Sequence, residues 1–498
     1  MNARSALVLA PALLFACAAV GPDYDAPAKD VPPGWREAGA GLAPGEADLA
    51  GWWRRLQDPV LDGLIERATR QGLELREALA RVREARALRG IADADRFPTM
   101  DLDLAYERRG GSENTPLGGF VPDSDLFSAG FDTAWELDLW GRVRRSIEAA
   151  DADLAASVED ARDVAVTVAA ETARNYVELR AFQARLAVAR RNVALQEETL
   201  ALVRTRFDAG LVGERDVAQA TSNVESTRSR VPSLETGLRA TENRLAVLLG
   251  LSPGELTAEL ADSAPIPVPP AEVAVGVPAD LLRRRPDVRR AERVLAAETA
   301  RIGVAEGDLY PRLTLGGTLG LAAEEAGDVF DSGSEEFALG PSLRWNLFDG
   351  GRLRQRVQAQ DARAEQALVR WERTVLSALE EAENTMTAFL QEQTRLRSLE
   401  LAASEARRAV DFARTQYREG LTDFQAVVDT ERSVAALEDE VALSESGITT
   451  TAIALYKALG GGWESMAALA EALPAGGSPE ERRGDIDSAA GDPERSYP

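Results

Sequence analysis

Four stretches of the chain alternate apolar and polar residues with a period of two. In TMDLDLAY, Met100, Leu102, Leu104 and Tyr106 share one face and Asp101 and Asp103 the other. In FSAGFDTAWELDLW, Phe127, Ala129, Phe131, Thr133, Trp135, Leu137 and Leu139 oppose Ser128, Asp132, Glu136 and Asp138. In RLTLGGTLGL, Leu313, Leu315, Leu319 and Leu321 oppose Arg312, Thr314 and Thr318, and in FALGPSLRWNLF, Phe337, Leu339, Leu343, Trp345 and Leu347 oppose Ser342, Arg344 and Asn346. The pattern predicts strands at 99–109, 127–139, 312–322 and 337–347, joined in two hairpins over polar loops at 107–126 and 323–336. Each run is about ten residues, the length of a membrane-crossing strand with lipid on one face and water on the other. Two hairpins of a soluble sandwich would alternate in the same way.

The membrane reading carries a consequence. Lipid offers nothing to bond an open sheet edge, so the strands must close into a barrel. Single-chain barrels begin at about eight strands, so four strands imply that several chains share one barrel.

A second period occupies most of the remaining chain. From Leu154 apolar or small residues recur in steps of four and three, through Val158, Ala161, Ala165, Val168, Thr172, Asn175, Leu179, Phe182, Leu186, Ala189 and Val193 to Leu200, Val203 and Phe207. Leu368, Val375, Ala382, Phe389, Leu396, Ala403, Val410 and Tyr417 keep the same spacing. This is a coiled-coil heptad. A helix from 141 to 208 would be about 100 Å long at about 1.5 Å per residue. Second helices are predicted from Glu214 to Leu249 and from Asp423 to Leu459. Pro232 should break the first of them, whereas its counterpart Ala442 should leave the other straight.

The two halves repeat. RTRFDAGLVGERDVAQA, from Arg204, and RTQYREGLTDFQAVVDT, from Arg414, share Arg-Thr, an aromatic residue and Gly-Leu at an offset of 210 residues. Trp135 and Trp345, and Leu249-Gly250 and Leu459-Gly460, have the same offset, while Phe97-Pro98 and Tyr310-Pro311 are 213 apart. A duplicated unit accounts for this, with copies at 59–260 and 281–462 and helical hairpins at 141–249 and 351–459. Gly210 and Gly420 fall where each long helix must stop, so each repeated passage is the tip of a hairpin. The Pro-rich segment 261–280 reads as a connector that is neither helix nor central strand. Residues 17–58 read as an extended lead, and 463–498 as a polar, disordered tail whose RGD triplet carries no function.

Composition narrows the function. The net charge is −25, which argues against nucleic acid and against docking on an anionic membrane surface. The chain has no His, which removes His-based triads and zinc sites. No phosphate loop, nucleophile elbow or SxxK motif is present, so no enzyme and no cofactor is predicted. The single Cys, Cys17, follows an apolar run too short to span a bilayer, and residues 1–16 read as a signal peptide. LFAC at 14–17 resembles a lipobox, which implies cleavage before Cys17 and a diacylglycerol and N-acyl lipid on it. An incidental Cys in a cleaved signal is the plain alternative.

Three stretches carry a wider likeness: CAAVGPDYDAP from Cys17, GWWRRLQDPVLDGLI (51–65) and LLRRRPDVRRAERVLAAETARIGVAEGDLYPRLTLGGTLG (281–320). They resemble the TolC-like outer membrane factors, in the lipoprotein branch that includes OprM and the NodT-type efflux subunits. The resemblance covers Cys17 to Gly462. It implies a homotrimer whose twelve-stranded transmembrane β-barrel is continued by a long α-helical periplasmic barrel. It further implies a passive exit duct for drugs or other small solutes, with a periplasmic adaptor and an inner-membrane pump of the RND type as partners. On this reading the hairpin tips, with Arg206, Phe207, Gly210 and Leu211 and with Tyr417, Gly420 and Leu421, meet the adaptor. Asp429, in FQAVVDTER, matches the position of the periplasmic gate, with Arg432 one turn on as its restraining partner. The bland alternative for Asp429 is a solvated helix residue. A duct for metal ions or secreted protein, or a periplasmic coiled-coil scaffold without a pore, are the competing functions.

Overall fold

A computed structural model describes residues 19–37, 41–43, 45, 49–110, 112 and 123–464. Cys17 and the tail from 465 lie outside the described residues. The chain folds as two compact units interleaved in sequence. The first comprises the chain up to Lys29, Val82–Ser157 and Arg290–Arg373, and the second Asp30–Arg81, Val158–Arg289 and the chain from Thr374.

The first unit holds a four-stranded antiparallel sheet of β2 (Thr99–Arg109), β3 (Ser124–Leu137), β5 (Arg312–Ala323) and β6 (Glu335–Arg344), in the order β2-β3-β5-β6. Its register brings the alternating faces into line. Leu102 pairs with Phe131, Phe131 with Leu319 and Leu319 with Phe337, while Asp101 pairs with Asp132 and Asp132 with Thr318 on the other face. The first face is predominantly apolar across all four strands, interrupted by Thr133 and, at the start of β6, by Glu335. Among the described residues nothing covers it: Leu104 is 73% exposed and Phe337 83%. Among the described residues the outer strands β2 and β6 each have one neighbour only.

The duplication is legible in the bonding. Trp135 Nε1 donates to the Arg96 carbonyl (2.8 Å) and Trp345 Nε1 to the Leu309 carbonyl (3.0 Å), so each repeated Trp finds the repeated acceptor. The long helix α3 (Arg142–Asp208) starts at Asp138, which accepts from the N–H groups of Val143 (3.1 Å) and Arg144 (2.9 Å). Its counterpart α8 (Arg352–Arg418) starts at Asp349, which accepts from Gly351 and Leu353, each at 2.9 Å. These carboxylates satisfy N–H groups that the first helical turn leaves free.

The lead is pinned beside the start of α3. Val20 N–H donates to Trp140 O (2.9 Å). The buried Arg145 donates to Val20 O (3.0 Å), Gly21 O (3.1 Å) and Asp23 (2.7 Å). Gly21 has φ +87°, and a Cβ there would lie 2.4 Å from Gly303 Cα, so only glycine allows this approach.

The second unit begins with β1 (Leu42–Ala43), paired in parallel with β4 (Val273–Ala274), and a short 3₁₀ turn at Trp52–Leu56. Helices α1 (Pro59–Gln71) and α2 (Leu73–Ala94) follow, and Asp58 caps α1 by accepting from Val60 and Leu61. Trp52 stacks on Tyr456 with ring centroids 5.2 Å apart. After the tip of α3 the chain returns as α4 (Glu214–Arg228) and α5 (Arg230–Leu248). The break at Ser229 lies one turn before Pro232, which lacks an N–H and crowds the carbonyl four residues back. Later come α6 (Pro278–Arg284), α7 (Pro286–Gly307), which passes into the first unit at Arg290, α8, which returns at Thr374, and the unbroken α9 (Phe424–Ala458), with Ala442 where the first copy has Pro232.

Several expected boundaries move. β3 begins at Ser124 rather than 127 because its ladder continues to the pair Arg109–Ser124. β6 ends at Arg344, so Trp345 and Leu347 lie beyond it; the Trp345 indole bonds to Leu309 O and the chain then enters the Asp349 cap. The 261–280 connector is not free of regular structure, since α6 starts at Pro278, where the ring suits a first helical turn, and Val273–Ala274 pairs with the lead. The lead is not wholly extended, since the Trp52–Leu56 turn buries both tryptophans. Among the described residues no helix is long and apolar enough to cross a membrane.

Candidate functional site

Both long helices stop in the same way. Leu211 N–H donates to Arg206 O (2.9 Å) and Gly210 N–H to Phe207 O (2.8 Å); Leu421 donates to Gln416 O (2.8 Å) and Gly420 to Tyr417 O (3.1 Å). This paired closure needs a left-handed residue, and the glycines supply φ of +69° and +73°. Leu211 and Leu421 follow, 68% and 77% exposed, and Phe207 is also exposed.

The two tips of one chain pack together. Leu200, Val203, Ala220, Val224, Ala413, Tyr417, Phe424, Val427 and Val428 form one buried cluster drawn from α3, α4, α8 and α9. Arg206 lies over the Tyr417 ring, 4.6 Å from its centroid, and donates to the Tyr417 carbonyl. Burial pushes the Tyr417 phenol above its ordinary value despite the lowering pull of Arg206. Tyr417 also packs on Phe424 at 5.4 Å. The tip residues predicted from the two halves are thus neighbours.

The second predicted pair is not brought together. Asp429 is exposed on α9 and accepts from Gln425 Nε2 (2.8 Å), whose Oε1 accepts from Gln219 of α4 (2.5 Å). Arg432 donates from Nε to Asn223 Oδ1 of α4 (3.1 Å), and no ion pair joins it to Asp429 within the chain among the described residues. The three-residue spacing puts both on one helix face, but Arg432 reaches across to the other hairpin.

Between them sits a residue that pattern reading missed. Glu431 is 4% exposed. Its Oε1 accepts from Thr199 Oγ1 of α3 (2.6 Å) and from Arg414 Nη2 (2.8 Å) and Nε (3.1 Å) of α8. Its Oε2 accepts from Asn223 Nδ2 of α4 (3.1 Å). Arg414 Nη2 further donates to Leu195 O (3.0 Å). One carboxylate therefore ties four helices, and a buried charge is tolerable only with such a full set of donors. Its sequence signal is the interruption of an apolar face: Phe424, Val427, Val428, Val434 and Ala435 share the helical stripe on which Glu431 stands. Among the described residues no group of three or more His, Cys, Asp or Glu could hold a metal ion.

Removing one partner should cost far more than removing the pair. Arg414→Ala leaves Glu431 buried without its cation and should destabilise the hairpin region by about 3–5 kcal/mol, whereas Arg414→Leu with Glu431→Leu should be much closer to neutral. Urea unfolding followed by helical circular dichroism measures both. A double variant as unstable as the single one would contradict the hub.

The family model described as outer membrane efflux protein matches residues 64–251 and 277–461, one span in each half. Nodulation protein T of Rhizobium leguminosarum bv. trifolii is 30% identical over 459 residues, covering 91% of this chain and 97% of that protein. The pyoverdine export outer membrane protein OpmQ of Pseudomonas aeruginosa is 32% identical over 468 residues, covering 92% and 97%. Among solved structures, the outer-membrane channel OprN is similar with a TM-score of 0.84 at 36% identity, over 89% of this chain and 99% of that one. With two family matches across most of the chain, relatives covered nearly end to end and a shared channel fold, the chain belongs to the outer membrane efflux protein family.

Proposed function

We propose that three copies of this chain form an outer-membrane exit duct, the last component of a tripartite efflux system. The observation that carries the reading is the sheet. Its apolar face runs in register across four strands and is left uncovered, its other face carries Asp101, Asp103, Asp132 and Glu336, and its two outer strands lack partners. Placed in lipid, such a sheet must close, and β2 of one copy pairing with β6 of the next gives a barrel of twelve strands with the carboxylates toward water. The hairpins of three copies supply the wall of a periplasmic tunnel. The duct has no catalysis to perform and no cofactor to hold. Energy comes from an inner-membrane pump, of the RND type, through a periplasmic adaptor.

The exposed Leu211 and Leu421, with Phe207 beside them, make an apolar rim at both tips and suit the adaptor as partner. Asp429 is the gate carboxylate of this reading: three copies of an exposed acid at a narrow end would attract cations and repel one another. Arg432, held by Asn223, would keep α9 against α4 in the closed duct. Cys17 is the proposed lipid anchor, and support comes from the chain that follows it. Val20 and Gly21 are fastened beside the point where β3 passes into α3, so the chain that follows the anchor is held at the end of the strands. Loss of palmitate labelling in Cys17→Ser is the expected check.

Charge should be tolerated on one face of the sheet only. Leu104→Arg or Leu315→Arg puts a cation into lipid at about 2–4 kcal/mol per copy near mid-bilayer, while Asp103→Arg and Thr314→Arg face water and should assemble. The assay is the amount of outer-membrane trimer and its conductance in planar bilayers. Equal loss in both classes would overturn the barrel.

The periplasmic end is tested separately. Leu211→Glu with Leu421→Glu should leave a normal trimer that no longer crosslinks to its adaptor. Asp429→Ala should weaken cation preference in single-channel recording. Unchanged crosslinking removes the tips from the docking surface, and unchanged selectivity removes Asp429 from the bore.

A further inference from the structure

The second unit contains an apolar space that no described residue fills. It has a volume of about 570 Å³ and is walled by Leu49 of the lead, Val275 and Val277 of the connector, Leu281 of α6 and Leu459 at the end of α9, while charged side chains of α6 complete its lining. Backbone bonds hold the wall in place without an occupant. Gly276 N–H donates to Gly45 O (3.0 Å), and Trp35 Nε1 donates to Gly276 O (3.1 Å) and Val275 O (3.3 Å). A dry cavity of about 150 Å³ takes one benzene-sized group, so this space takes about three apolar side chains.

The end of α9 delivers the chain to this space. Leu459 lines it, and Gly461 packs on Leu49, where a Cβ on the glycine would lie 2.7 Å from the leucine Cβ. Two residues on, Trp463 is fixed by the guanidinium groups of Arg162 of α3 and Arg289 of α7, 4.5 and 5.9 Å from its ring centroid. The stretch that leaves this anchored point is SMAALAEAL, residues 465–473, which lies beyond the family match ending at residue 461. Its one charge is Glu471. Met466, Leu469 and Leu473 stand three and four residues apart, the spacing of one helix face, with Glu471 on the other face, Ser465 before them and Pro474 after. Beyond Pro474 the sequence turns to Gly, Pro and charge. The segment 46–48, between two residues that line the space, is Glu-Ala-Asp, and its carboxylates do not suit an apolar wall.

We infer that residues 465–473 fold back and fill this space, with Met466, Leu469 and Leu473 against the apolar wall and Glu471 in water. A tether of a few residues from Leu459 gives this segment a high effective concentration at the site, which a free ligand lacks. The wall is drawn from the lead, the connector, α6 and the end of α9, so the docked segment joins all four. Without it, the β1–β4 pair that ties the lead to the connector is only two residues long on each side.

Thiol labelling of the full-length protein tests this. In a Cys17→Ser background, Val277→Cys puts a thiol on the wall of the space, at a position 46% exposed. Leu469→Ser with Leu473→Ser keeps the tail but removes its apolar face, and a stop codon after Glu464 removes the tail altogether. Each change is expected to speed maleimide labelling of the Val277→Cys thiol by about tenfold or more. A thiol at the exposed tip, Ala209→Cys, should label at one rate with all three tails, which excludes a general loss of fold as the cause. With the tail intact, a short bis-maleimide should join Val277→Cys to Leu473→Cys within one chain, read as a linked tryptic peptide from the monomer band of a denaturing gel. Equal labelling with all three tails overturns the inference. If uniformly fast, the space is open, and if uniformly slow, it holds another occupant, such as segment 46–48 or a lipid. A link formed only between chains assigns the space to a second copy and overturns it as well.

Discussion

A backbone N–H or C=O at the edge of a sheet has no partner in hydrocarbon, and each one left unpaired there costs several kcal/mol. That constraint organises this protein. Its sheet has four strands, an uncovered apolar face and two unpaired outer strands, a combination that is unstable alone in either water or lipid. In water the apolar face is the fault, and in lipid the edges are. In the proposed assembly, closure with further copies of the same chain removes both. Most of the remaining organisation follows: the sheet needs no helix packed over its apolar face, and the lead is held at the end of the strands instead of across them.

The duplication adds a second theme. Two copies of one strand-and-hairpin unit give first helices of 67 residues each and matching tips, down to the paired carbonyls that receive Trp135 and Trp345. Equal units joined by one chain then diverged where they meet. Glu431, with Thr199, Asn223 and Arg414 around it, has Thr221 as its counterpart. Pro232 breaks one returning helix and Ala442 leaves the other whole.

Much of this was legible in the sequence because its periods are strong. The strands announce themselves by alternation, the long helices by heptads, and the tips by glycine at the end of a periodic run. What was not legible depends on meeting in space. Thr199, Asn223, Arg414 and Glu431 come from four helices, and no spacing along the chain relates them. Glu431 alone left a trace, as a charge on an apolar stripe. Asp429 and Arg432 stand one turn apart, yet within the chain the arginine bonds to Asn223 because α4 lies against α9. The helices at 59–71, 73–94, 278–284 and 286–307 were not expected, because each is too short to carry the sustained heptad run that marks α3 and α8.

The central claim is that the outer strands are edges in one copy and interior strands in the assembled barrel. Amide hydrogen exchange of the lipid-embedded protein measures this directly. The account predicts that the amides of Thr99–Arg109 and Glu335–Arg344 exchange as slowly as those of the inner strands Ser124–Leu137 and Arg312–Ala323. Fast exchange confined to the two outer strands, with the inner pair protected, would mean that their edges remain open and would contradict it.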